Sequence, residues 1–172
     1  MALEGVRQTF AIESASDLID KLEWEISLFK EEDRLPCKIW LAWNCAVTAW
    51  SIADWVYEEF DQVQREYSNN KNYHNYLCLQ SRALYVCRQI ATASKHRLKT
   101  EKLYDKNLES CVAIKAVSFS FGNCTADADF YVIDNTVKKL AVDVFRDAQT
   151  FLDGEIRRYP LSETLPKYLL QD

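Results

Sequence analysis

The chain has 172 residues, 48% of them hydrophobic, 27% charged and 13% aromatic, with only three glycines and three prolines. That length and apolar content suffice for a core without a disulfide or metal staple, and so few backbone breakers exclude turn-rich sandwiches, barrels and propellers as well as dominant disorder. The formal net charge of −5 repels a polyanion in bulk, so any nucleic-acid contact has to be local.

The six cysteines carry no C-x-x-C pair and the N-terminus MALEGVRQTF lacks a basic region followed by an apolar run, which predicts reduced thiols in a cytoplasmic protein. Cys45 and Cys87 lie in apolar stretches and are expected to pack as small hydrophobes.

The first predicted helix runs from Ser14 to about Lys30. Leu18, Leu22, Ile26 and Phe29 recur at helical spacing, and Ser14 or Ser16 caps the first turn. KEEDRLP interrupts the pattern, with Pro36 at the start of the next helix. From Cys37 to about Tyr67 the chain has no Gly or Pro, which predicts one long central helix, apolar almost all round. Its uncharged stretch, Ile39 to Ala53, is too short to span a bilayer. After the polar turn at 68–72, a third helix is predicted from Tyr73 to about Leu98, followed by a charged loop. VAIKAVSFSF at 112–121 and DFYVI at 129–133 predict a β-hairpin with GNCTADA as its loop and a bulge near Ala116. Asp134, Asn135 or Thr136 is expected to cap a last helix reaching about Arg158, stopped by Pro160. The reading is a mainly α, four-helix-bundle-like single domain over 1–172. One β-hairpin at about 111–134 precedes the last long helix, and the tail at 160–172 is loosely attached.

On the central helix Asn44, Thr48, Ser51 and Glu58 fall along one line, with Asp54 about 80° from it, at 100° per residue. A buried amide, hydroxyl or carboxylate without a partner costs about 1–3 kcal/mol, so this polar line must meet water, a ligand or another helix. Asn44, Ser51, Asp54 and Glu58 are therefore candidate ligand-binding residues. On the third helix Arg88, Lys95, Lys99 and Lys102 share a stripe, and His96 lies beside it. Asp54 and Glu58 are expected to pair with Arg88, Lys95 or His96. No metal site is expected from two histidines without ligand spacing, and no cofactor is implied: P-loop, dinucleotide and nucleophile-elbow motifs are all missing.

The segments Asn44-Cys45-Ala46-Val47-Thr48-Ala49-Trp50-Ser51-Ile52-Ala53-Asp54-Trp55 and Cys87-Arg88-Gln89-Ile90-Ala91-Thr92-Ala93-Ser94-Lys95-His96 resemble a group of uncharacterised bacterial helical proteins with an N…A-W-H-x-x-D-W helix and an A-x-A-S/T-K-H helix. Ser51 stands where that pattern often has His. More distantly, a basic residue followed by His on an inner helix resembles the HEPN superfamily, although the seven residues between Arg88 and His96 exceed the spacing usual there. That resemblance implies a metal-independent nuclease or toxin-type activity on RNA. His96 would be the general base, and Arg88 or Lys95 would stabilise charge on phosphate. The alternative is a non-catalytic protein-interaction or ligand-binding bundle, with no membrane contact. It would self-associate through an aromatic-rich surface, because 22 aromatic residues exceed what a core of this size hides.

Overall fold

The computed structural model describes residues 12–95, 105, 107–120 and 123–159. The protein is mainly α, with six helices and a three-stranded antiparallel sheet among those residues. Four helices form a bundle in the cyclic order α1 (Ala15–Glu31), α2 (Leu35–Glu59), α5 (Arg82–Lys95) and α6 (Ala141–Arg158), each packing on its two neighbours. Two shorter helices, α3 (Asp61–Glu66) and α4 (Asn70–Gln80), return the chain from α2 to α5.

Helix α1 starts where expected. Ser14 Oγ accepts from Asp17 N at 3.1 Å, and Asp17 Oδ2 accepts from Ser14 N at 2.9 Å, so two otherwise orphaned donors are satisfied reciprocally. The backbone N–H groups of Glu13 and Ser14 hold the Asp17 carboxyl below the usual carboxylate range. Its stripe Leu18, Leu22, Ile26 and Phe29 is buried.

The central helix is shorter than the sequence suggests, and its two halves differ. Cys45, Ala46, Ala49, Ile52, Ala53 and Val56 are fully buried, and the alanines let neighbouring backbones approach closely. The first half instead leaves Ile39, Trp40 and Trp43 exposed. The helix ends at Phe60, whose backbone is extended (φ −106°, ψ 104°). Glu58, Glu59 and Asp61 at a helix C-terminus oppose the dipole, whereas Asp61 in the first turn of α3 is favoured by it. Leaving the helix also buries Phe60 against Tyr159, ring centroids 6.1 Å apart.

The predicted third helix is likewise two. Ser81 is extended (φ −130°, ψ 107°) and its Oγ accepts from Leu84 N at 3.2 Å, capping α5. Asn69 caps α4 in the same way, accepting from Asn72 N at 3.0 Å.

The hairpin is longer than expected: β1 spans Leu108–Ser120 and β2 spans Asn123–Asp134, so most of GNCTADA is strand rather than loop. The register shifts between Ile114 and Ala116, at the predicted bulge. Asp134, Asn135 and Thr136 do not cap the last helix. Asn135 adopts a left-handed conformation (φ 56°) in a two-residue turn into β3, Val137–Leu140, which pairs with β2 before α6 begins. Ala128, Phe130 and Val132 of β2 are buried, and Phe130 meets Phe29 of α1 edge-on at 5.2 Å. Phe29 in turn meets Phe145 of α6 at 5.8 Å, so these rings fasten the sheet to the bundle.

Arg82 clamps the hairpin base. Its Nε donates to Asp134 Oδ2 at 2.7 Å and its Nη2 to Asp105 Oδ2 at 3.0 Å, with the guanidinium over Tyr85. Cys45 and Cys87 are both fully buried, and desolvation pushes the Cys87 thiol up to about 12 and that of Cys45 further still. No helix among the described residues is long and apolar enough to cross a membrane. Pro160, the tail at 160–172 and, of the predicted loop at 97–110, residues 97–104 and 106 lie outside the described residues, whereas Leu108–Ser110 of that loop are strand, because they pair with β2 at the hairpin base.

Candidate functional site

The polar line on α2 is divided among different partners. Asn44 is exposed near the start of the buried half. Thr48 is buried and its Oγ1 accepts from Lys21 Nζ of α1 at 2.7 Å, the same ammonium that pairs with the buried Glu25. Ser51 turns back on its own helix, donating to Val47 O at 2.8 Å. Glu58 is exposed and lines a groove together with Glu13, Asp54, Trp55 and Glu59. Glu59 Oε2 accepts from Ala15 N, which ties the start of α1 to the end of α2.

Asp54 meets α4. Its Oδ1 accepts from Asn70 Nδ2 at 2.8 Å and lies 3.1 Å from His74 Nε2, off the line of a hydrogen bond. His74 also packs on Trp50, ring centroids 4.5 Å apart. Arg88 of α5 sits on Trp50 from another side, with Cζ 5.3 Å from the ring centroid and Nη1 donating to Cys78 Sγ at 3.6 Å. Of the partners expected for Asp54 and Glu58, Arg88 lies on Trp50 instead, and the side chains of Lys95 and His96 lie outside the described residues. α4, which the sequence merged with α5, supplies His74 and Asn70 to Asp54, and Arg88 is spent on an aromatic face and a thiol. Lys95 is the last residue of α5, and His96 lies outside the described residues.

A second constellation was not legible in the motifs. Between the exposed half of α2, the end of α5, the start of α6 and the sheet lies an apolar pocket of about 320 Å³. Ile39 and Trp43 stand on one side of it, Ile90 and Ala93 on another, and Val112 and Phe130 on the sheet side. Ser110, Cys111 and Tyr131 are its polar groups. The Tyr131 hydroxyl donates to Asp129 Oδ2 at 2.7 Å, and Lys138 Nζ lies 3.5 Å from the Tyr131 ring centroid. The signal available in sequence was the crowding of Ile39, Trp40 and Trp43 into little more than one turn, more apolar surface than one buried face accommodates.

A third cluster joins α3, α4 and α6. Glu155 is buried, its Oε1 3.4 Å from the Tyr76 hydroxyl and 3.6 Å from Arg158 Nη1. Burial pushes its carboxyl above the ordinary value, against the pull of Arg158. The Tyr159 hydroxyl donates to Glu66 Oε2 at 3.1 Å, and desolvation and that carboxylate raise its phenol to about 12. Tyr67, Tyr73 and Tyr76 stack alongside, making this an aromatic brace between helices.

Among the described residues no group of three or more His, Cys, Asp or Glu side chains is placed to hold a metal ion. Comparison with protein families, with characterised proteins and with solved structures finds no match to the chain. What fold and site define together is a class: a mainly α bundle with a β-sheet inserted before its last helix and an apolar pocket where sheet and bundle meet.

Proposed function

We propose that the protein is a non-catalytic binding module whose working surface is the apolar pocket and the exposed rim around it. The observation that carries this reading is the pocket itself: about 320 Å³ of apolar-lined space with Ile39, Trp43 and Val112 exposed beside it. Its size and its few polar groups match the general character of sites that take small apolar ligands or a partner's side chain. Exposed tryptophans are costly in water and are the residues on which interfaces most often anchor.

The rival reading, a metal-independent nuclease or toxin-type centre on Arg88, Lys95 and His96, has less support. It asks Arg88 to stabilise phosphate charge, yet that guanidinium is committed to Trp50 and Cys78. The groove beside Asp54 carries Glu13, Glu58 and Glu59, a field that repels a phosphodiester.

Titration with an apolar fluorescent probe such as anilinonaphthalene sulfonate tests the reading. Wild type is expected to enhance the probe's emission and to quench Trp43. Ala93→Phe, which fills the pocket from α5, is expected to abolish both while retaining helical circular dichroism. A wild-type protein that ignores the probe, or a filled variant that binds it equally, refutes the assignment.

A further inference from the structure

Three helices each place an alanine on the wall of the apolar pocket: Ala42 of α2, Ala93 of α5 and Ala141 of α6. A side chain that ends at Cβ leaves the space in front of it open, and β1 and β2 form the facing wall. Among the described residues no charged side chain lines it, so a charge enclosed there would lose its water without gaining a partner.

The aromatic part of the wall is held from behind. Phe130 of β2 and Phe145 of α6 line the pocket, and both meet Phe29 of α1 edge to face, at interplanar angles of 90° and 73°. Phe29 is buried and does not line the pocket, so it fixes the two rings from within the core while they also border the pocket. Rings fixed in advance need no further ordering when another ring packs against them. Volume sets the size of that partner. An apolar cavity of about 150 Å³ takes one benzene ring, and this pocket, at about 320 Å³, has room for two fused rings.

We propose that the pocket binds a small free compound built on two fused aromatic rings, uncharged where it is enclosed, which meets Phe130 and Phe145 from the side opposite Phe29. This ligand class rests on the reading of the pocket as a binding site. Hydrophobicity alone does not select an aromatic compound over a saturated one of the same carbon skeleton, because the saturated one buries at least as much apolar surface. The ring contacts do select it. Aromatic pairs in edge-to-face or offset geometry attract beyond what burial of area supplies, and the wall presents two such partners. The exposed rim of Ile39, Trp43 and Val112 favours a free compound over a partner's tryptophan, whose flanking peptide groups would be set against that apolar surface.

Isothermal titration calorimetry on the full chain tests this with two matched pairs. 2-Naphthol is expected to bind about tenfold or more tightly than decahydro-2-naphthol, which has the same skeleton and hydroxyl without an aromatic ring. Indole is expected to bind about tenfold or more tightly than N-acetyltryptophanamide, which carries the same rings on peptide groups. Phe130→Leu removes one of the two ring partners and is expected to cut the first ratio to about a third. Ala93→Phe is expected to abolish binding of every compound. A ratio near one or reversed in either pair, an undiminished ratio in Phe130→Leu, or binding that survives Ala93→Phe overturns the proposal. The apolar fluorescent probe reads the pocket separately. A wild type that enhances the probe's emission but takes neither 2-naphthol nor indole, or takes both members of a pair alike, rejects the ligand class alone; one that ignores the probe rejects the pocket.

Discussion

Replacing Phe130 by Ala tests how the sheet is held to the bundle. Phe130 is 8% exposed and its ring meets Phe29 edge-on at 5.2 Å, while Phe29 meets Phe145 at 5.8 Å. Truncating a buried Phe costs about 3–5 kcal/mol, counting lost transfer and the cavity left behind. Because Phe130 also lines the open pocket, the new space is continuous with water, which places the loss near the lower end, about 3 kcal/mol. For a chain of this length each kcal/mol moves the melting temperature by about 2–4 °C, so the variant is expected to melt about 9 °C lower. Scanning calorimetry measures the shift, and amide exchange locates it, with β2 amides losing protection before those of α1. Phe130→Leu keeps part of the contact and is expected to fall in between. A decrease below about 3 °C, or uniform loss of protection across the bundle, would refute the idea that these rings fasten the sheet.

Glu155 gives a pH dependence of unusual sign. Its folded carboxyl sits above the ordinary 4.5, so over the window above that value the folded chain retains a proton that the unfolded chain has released, and stability declines as pH rises through it. Glu155→Gln is expected to flatten that decline, read as urea midpoints over a pH series; a wild type that gains on the variant as pH rises would contradict the assignment. The Arg82 clamp has the opposite sign, since Arg82 holds the Asp134 carboxyl below its ordinary value and Asn107 N and Arg82 do the same for Asp105, so its contribution is lost as pH falls through the depressed values. Arg82→Gln is expected to lower stability near neutrality and to converge with wild type in acid. Ser14→Ala removes the cap of α1 and is expected to cost about 1 kcal/mol in chemical denaturation. Finally, wild type and His96→Ala are expected to leave a mixed RNA pool intact alike, with or without EDTA; cleavage by wild type alone that survives EDTA would reinstate the nuclease reading.

The helices of the bundle were legible wherever one face was apolar and a cap was present: Ser14 and the stripe Leu18, Leu22, Ile26 and Phe29 mark α1 from sequence alone. The bulge was legible because alternation slips there. The breaks at Phe60 and Ser81 were not, because neither carries Gly or Pro. One depends on three carboxylates gathering at a helix end, and the other on a serine that reads as an ordinary helix residue until its hydroxyl is seen to cap. Missing the break at Ser81 put Arg88 and His74 on one rod, whereas two helices bring His74 to Asp54 and set Arg88 on Trp50. β3 was missed because Val137–Leu140 is four residues long and follows a turn whose Asn135 looks like a helix cap. The pocket lies between four elements distant in sequence, and no local pattern encodes it.

Two thiols placed at the centre of the bundle turn the protein into its own clock. Cys45 and Cys87 are sealed from solvent and held protonated far above neutral pH, so neither reacts with a disulfide reagent while α2 and α5 stay closed. Cys37, Cys78 and Cys111 are partly accessible, although desolvation also raises the Cys78 thiol. The count of labelled sulfurs against time therefore separates surface reaction from opening, and the slow phase is the rate at which the helices part. The pace at which the native protein admits a reagent to its centre is recorded in covalent bonds, with no introduced label and no denaturant.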